Sequence, residues 1–508
     1  MTPSRFGIVD LLVLVAYLAG TTALGVWLGR NQKNSTDYFV AGRNIPWWAV
    51  MFSIVAAETS ALTFISVPGL AVIGNFGFLQ VCMGYVVGRV VVATVLLPRY
   101  FEGNLVTAYA LLETRFGSST RRFTSVVFMV TRGMADSVRV FASAIPIAIV
   151  IGPVLPRQYV MPAAIIVLGV LTILYTYKGG MRAVVWTELV QAAVYATGGI
   201  SAAVLVGHAV TGGWPHILEL ANAQDKLRVF DFYPGLDRPH TVFAGVIGGA
   251  VLTMASHGAD QTIVQRMLSA RSLRDAQKAI IGSGIVVLVL MTLFLTVGVG
   301  LWAYYNGATT FSSPDQIFPT FIFERMPHGL IGLLVASILA ATMSTHSGAI
   351  NSLAATTTHD LYVPLRKGKA TEAETFRAGR WFALAWGVAL TFGALLFPEG
   401  KTPVVVIALS IASFTQGALL GGFFLGIFVK RAVQRDAILG MSVGIGVMAF
   451  IVFAKPLSAA YPWLASTLGP FANVAWPWYV LIGTTITMTV GWLSSLSHSS
   501  DGARGATA

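Results

Sequence analysis

The chain has 508 residues and a net charge of +12; 55% of its residues are hydrophobic and 11% are charged, against about 25% charged in a soluble domain. This composition excludes a soluble multidomain protein, and apolar runs recurring from end to end mark an integral, polytopic membrane protein. The positive charge points to membrane topology and anionic lipid, with no nucleic-acid partner expected, and the one cysteine, Cys82, excludes an intrachain disulfide.

Thirteen spans are predicted in chain order: Phe6–Leu28, Trp47–Val72, Gly77–Leu97, Phe123–Ile151, Val160–Tyr177, Ala183–Val206, Val242–Val264, Ala279–Tyr304, Leu330–Leu353, Phe382–Leu396, Val404–Val429, Ala437–Phe453 and Trp478–Leu496. The first carries Asp10 and is too long for a signal-peptide core, so it reads as a retained span. Phe382–Leu396 is short and is expected to extend into its flanks. With the N-terminus outside, the cytoplasmic segments hold 22 of the 33 Lys and Arg residues and the outward ones 8, with Arg89, Arg132 and Arg139 inside spans. Basic residues mark the cytoplasmic side, so the expected orientation is N-out and C-in, in the plasma (inner) membrane. The Arg266/Arg271/Arg274/Lys278 group is counted there as a cytoplasmic flank.

This gives an all-α integral membrane protein divided into 1–45 (first span and cytoplasmic loop), 46–430 (ten-helix core), 431–496 (two accessory spans) and 497–508 (cytoplasmic tail). Ten core spans make two sets of five. An odd number per set forces any repeat to be inverted, the architecture of many secondary transporters. The first span of each set is interrupted by small and polar residues, Ser53 to Gly69 in one and Gly245 to Asp260 in the other.

Glu58 lies in the middle of the second span, among hydroxyls and ahead of Pro68-Gly69. A carboxylate at that depth normally faces a cavity or pairs with a neighbouring helix. Ser60, Thr63 and Gln80 are further cavity candidates. In the fourth span Arg132, Asp136 and Arg139 share one helical face. Such a cluster either neutralises itself or frees one guanidinium to clamp a substrate carboxylate. Arg89 is a candidate partner for Glu58 or Asp136. His257, His346, Thr415 and Gln416 complete the polar candidates, with the histidines read first as structural.

The ninth span carries the most regular polar stripe: Ser337, Ala341, Ser344, Gly348, Asn351/Ser352 and Ala355 recur every three or four residues. The stripe suits close helix contact through small residues. It equally suits a monovalent cation, if Ser344 and Thr345 face carbonyls freed near Ala56–Thr59.

Four ordered segments resemble the sodium:solute symporter family, in particular its bacterial members. They are Ala57–Gly69, then Gly179-Gly180-Met-Arg182-Ala-Val-Val-Trp186-Thr187-Glu188-Leu-Val-Gln191, then Ala259-Asp260-Gln261-Thr-Ile-Val-Gln265-Arg266, then Met343-Ser344-Thr345-His-Ser through Tyr362. Gly426 to Arg431 is also typical, so the resemblance covers nearly the whole chain. It implies a leucine-transporter-like 5+5 inverted-repeat core with discontinuous helices, and sodium-coupled symport by alternating access. Na+ is then the coupling ion. The shared sodium site implied by the family uses backbone oxygens near Ala56, Thr59 and Ala341 and the hydroxyls of Ser344 and Thr345. A second sodium site would involve Glu188 and Ser347. However, Glu188 replaces the family's more usual Asp and Gly348 stands where some relatives have a serine, which leans towards one sodium per cycle.

The expected function is import of a small polar organic solute, with lipid and solute as partners and no obligate protein partner. The alternatives are a proton-coupled transporter or a substrate-sensing domain of the same fold, and remotely an intramembrane hydrolase. Adjacent residues such as His346 and Ser347 point about 100° apart on a helix, which disfavours the last.

Overall fold

A computed structural model of the protein describes residues 6–31, 34–59, 61–102, 105–152, 155–306, 311, 314–367, 369–396, 404–461, 463 and 465–497. Among these the chain is helical, with one isolated bridge between Ile45 and Ala270. A bilayer offers no water to satisfy backbone groups, so apolar runs close their hydrogen bonds internally as helices. The principal helices are α1 (Ile8–Leu28), α2 (Trp47–Glu58), α3 (Ala61–Ile73), α4 (Leu79–Val91), α5 (Ser118–Ile151), α6 (Arg157–Ala209) and α7 (Gly249–Gly258). They continue as α8 (Gln261–Leu268), α9 (Leu273–Tyr305), α10 (Leu330–Thr356), α11 (Glu372–Leu395), α12 (Val404–Phe428), α13 (Gln434–Ala460) and α14 (Trp478–Leu496).

Eight segments among the described residues are long and apolar enough to cross a membrane, and four shorter apolar helices accompany them. The 34-residue α5 carries its charged triad on top of that set. Large apolar side chains such as Ile8, Leu12, Val130, Val289 and Phe392 stand exposed on the outside, as a lipid-facing surface requires. The short tenth span does extend into its N-terminal flank, as α11. The fifth and sixth spans form one helical run, α6, bent at Gly180, whose φ of 50° and ψ of −154° only glycine adopts readily.

The first span of each set is broken. The helix of α2 stops at Glu58, and Thr59 turns extended (φ −78°, ψ 102°). Its N–H and hydroxyl both return to the Val55 carbonyl, at 2.9 and 2.8 Å. The seventh span breaks after α7, where Asp260 turns extended and its side chain accepts the Thr262 N–H at 2.8 Å, capping α8. Pro68-Gly69 is not part of the first break. Pro68 lies inside α3, and its carbonyl packs so closely on α9 that a Cβ at Gly298 would sit 2.2 Å from it.

The helix α10 runs through the centre against α5, α6 and α1, and α2 packs on α6, α9 and α10. Phe64 of α3, Tyr195 of α6 and Phe294 of α9 interlock edge to face with centroids 5.1–5.3 Å apart. The accessory helices α13 and α14 pack on each other and on α12.

Candidate functional site

The helix α2, which ends at the first break, packs on α10. The last carbonyls of a helix have no intrahelical partner. Thr59 takes that of Val55, which leaves the carbonyls just beyond it at the turn. Ala56, Thr59, Ser344 and Thr345 are all buried, and Ala341 lies one turn before Ser344 on α10. The Ser344 hydroxyl donates to Glu188 Oε1 at 3.1 Å. Its proton is thereby committed and its lone pairs are left to face a cation. Ser60 lies outside the described residues. Thr63 is half-buried on α3, just past the break.

Glu188, on the second half of α6, is fully buried. Ser53 of α2 donates to its Oε2, and Arg266 of α8 pairs with both oxygens, through Nη2 to Oε1 and through Nε to Oε2 at 3.2 Å. Arg266 is therefore no exposed flank: both partners of the pair have zero exposure. An arginine at the end of a broken helix is drawn inward by a carboxylate that would otherwise be buried unpaired. Ser347 turns its hydroxyl to the Ser344 carbonyl at 3.1 Å rather than to Glu188.

Glu58 is neutralised where it stands. Fully buried Arg89 of α4 binds it and also donates to Ser283 of α9 at 2.7 Å. His257 Nε2 of α7 is 3.5 Å from the same carboxylate oxygen, and its Nδ1 is 2.9 Å from Ser256 Oγ. This cluster ties four elements beside the break, which matches the pairing reading of Glu58 and of Arg89. Gln80 is drawn elsewhere. Its amide donates to the carbonyls of Gly77 (3.1 Å) and His240 (3.0 Å) and accepts the Asp231 N–H at 3.2 Å, so it fastens a loop.

A cavity lies between α5, the α7–α8 break and α12, lined by Phe128, Thr131, Arg132, Ala135, Arg139, Asp260, Thr415, Gln416 and Leu419. Arg132 donates to Asp136 and, at 3.3 Å, to Asp260. Arg139 donates to Asp136 through Nη1 at 3.0 Å, and no further partner for it is found among the described residues. The candidates Arg132, Asp136 and Gln416 thus gather at or beside one cavity, while Glu58 and His257 form their own cluster. Asp260 and Arg266 are not among the site candidates that the sequence offers. The signal was there: a deep Glu188 demands a counter-charge, and the interrupted seventh span supplies one eight residues past Gly258.

Two helices broken at mid-span, with polar groups gathered at both breaks, define a secondary transporter of the leucine-transporter-like fold. A solved structure of a Na+-coupled sialic acid symporter, in a substrate-bound outward-open state, superposes with a TM-score of 0.84 over 97% of this chain and 99% of that one, at 24% identity. The sodium/sialic acid symporter NanT of Aliivibrio fischeri is 29% identical over 97% of this chain and 94% of its own length. The sodium/sialic acid symporter SiaT of Proteus mirabilis is 27% identical over 87% and 88%. The profile of the sodium:solute symporter family matches residues 38–444, and the chain belongs to that family. It is a multi-pass membrane transporter that couples solute movement to sodium, not an enzyme.

Proposed function

We propose that the chain imports a small solute bearing a carboxylate, gripped by Arg139, with one sodium ion bound where α2 meets α10. The observation that carries the solute class is the unequal use of the two cavity arginines. Arg132 is committed to Asp136 and Asp260, whereas Arg139 gives one nitrogen to Asp136 and keeps the rest of its fork at the cavity wall, 24% exposed. A planar guanidinium matches a carboxylate in two-point geometry. Gln416 offers an amide for a neutral polar part of the same molecule. The relatives NanT and SiaT are named for sialic acid, a carboxylated sugar, which fits that chemistry.

Sodium would take backbone oxygens near Ala56, Thr59 and Ala341 together with the hydroxyls of Ser344 and Thr345. Glu188 supports this reading by holding the Ser344 proton, as outer partners orient metal ligands. Bound sodium would fasten α2 to α10 and stabilise the outward-facing cavity; solute would then permit rocking to the inward state. In the N-out orientation the membrane potential contributes about 2.3 kcal/mol per charge per 100 mV to inward movement.

The test is thermal unfolding of purified protein in sodium or potassium, with and without a panel of carboxylates and neutral sugars. A ligand specific for the folded state stabilises it by RT ln(1 + [L]/Kd). A sodium-specific rise in Tm that Thr345→Ala displaces to higher sodium, with a further rise from a carboxylate that Arg139→Ala weakens, is the expected result. A neutral sugar that stabilises the protein as well as any acid would overturn the solute class. A sodium dependence of Tm left unchanged in Thr345→Ala would overturn the ion site.

A further inference from the structure

Glu188 is a buried carboxylate ringed by hydroxyls from two other helices, Ser53 of α2 and Ser344 of α10. Oxygens gathered around a charged carboxylate suit a hard cation. The cation found there is the protein's own. Arg266 grips both carboxylate oxygens in two-point fashion and sends Nη1 to the Thr262 carbonyl. With Ser53 and Ser344, four donors meet the roughly four lone-pair sites of one carboxylate, which is then saturated.

A second, independent observation lies on α10. A Cβ placed on Gly348 would come within 2.3 Å of Arg266 Nη2 and 3.2 Å of its Cζ and Nη1. That nitrogen ends a flexible side chain, but here it is locked to Glu188 and fully buried. The guanidinium therefore occupies the space that a side chain at position 348 would fill, and a serine hydroxyl there cannot coexist with it. Glycine at 348 and arginine at 266 fit each other.

We propose that Arg266 is a tethered cation filling an ion seat at Glu188, so that this chain binds one sodium and carries a covalently held substitute for a second. The inference rests on the sodium site proposed above and concerns the carboxylate that holds the Ser344 proton of that site. A tethered charge need not be captured from solution or released, so each transport cycle would move one sodium with its solute.

The experiment counts sodium bound at saturation by purified full-length protein, using radioactive sodium alone in a potassium-free choline buffer. Wild type is expected to bind one ion per chain, and Thr345→Ala to need roughly tenfold more sodium to reach that count. The double variant Arg266→Gln/Gly348→Ser removes the tethered charge and restores a hydroxyl, and is expected to bind two. Adding Glu188→Gln to that double variant returns the count to one. A folded double variant that still binds one ion would overturn the proposal, as would a wild type that binds two. If the double variant does not fold, the wild-type count decides: one upholds the proposal and two overturns it. Failure of the α2–α10 site is distinguishable, because wild type would then bind none while the double variant still gains one.

Discussion

Arginine–carboxylate clusters meet both ends of α8, and they are built for opposite ends. At the N-terminal end Asp260 caps the helix and joins Arg132, Asp136 and Arg139 along a cavity wall, with the two arginine side chains 14% and 24% exposed. At the C-terminal end Arg266 and Glu188 are wholly enclosed, and every carboxylate lone pair has a donor. The residue types are the same. What separates a group that can hold a ligand from one that holds only the protein is the number of donors left over and whether anything can reach them.

The largest effect expected from breaking this contrast is at the enclosed end. In potassium, Arg266→Ala should cost about 3–5 kcal/mol by stranding a buried carboxylate, read as a fall in Tm. The neutral pair Glu188→Gln/Arg266→Met should recover most of it. At the open end Arg139→Ala should weaken carboxylate binding by roughly 10- to 150-fold, the worth of about 1.5–3 kcal/mol for a hydrogen bond to a charge, with little change in Tm. Isothermal titration with the carboxylate found by Tm screening checks it, and equal losses in affinity and stability would erase the distinction between the two ends. Thr345→Ala should raise the sodium needed for half-saturation by roughly tenfold, about 1.4 kcal/mol for one lost oxygen ligand, measured by sodium titration of Tm. The smallest effect is Asp260→Asn, which keeps a competent helix cap but loosens Arg132; a stability change within about 1 kcal/mol is expected, read as a small shift in Tm.

Much of the fold is legible in the sequence, because hydrocarbon demands long apolar runs and these are local features. Both interrupted spans announce themselves by polar residues at depth, yet the place of one break does not. Pro68-Gly69 looks like a helix breaker and is instead a close-packing surface for Gly298, since its partner lies far along the chain. The stripe on α10 is visible at helical spacing, but its neighbours are not. Ser344 reaches Glu188 across 156 residues, and Arg266 reaches the same carboxylate across 78. Composition places Arg266 with the basic flank beside it, and only the packed structure turns it inward. Gln80 shows the converse. A polar residue in a span suggests a cavity, whereas its amide serves loop backbone that the sequence cannot bring near.

The eight residues of α8 are all buried, and their polar side chains are tied outward in several directions. Gln261 accepts the Ala108 N–H at 2.6 Å and donates to the Val106 carbonyl at 3.1 Å; Thr262 meets Ser352 at 3.1 Å; Gln265 donates to the Phe39 carbonyl at 2.8 Å. Just beyond the helix, the Ser269 carbonyl accepts the Ile45 N–H at 3.0 Å. Such a segment travels as one block with the stretches it grips, the 106–108 loop and the 39–45 approach to α2. Any bending during transport must then be absorbed at its N-terminal flank, Ala259, where the chain leaves α7 with φ −123° and ψ −10°. Amide hydrogen exchange should accordingly be slow across 261–268, whichever way the molecule faces.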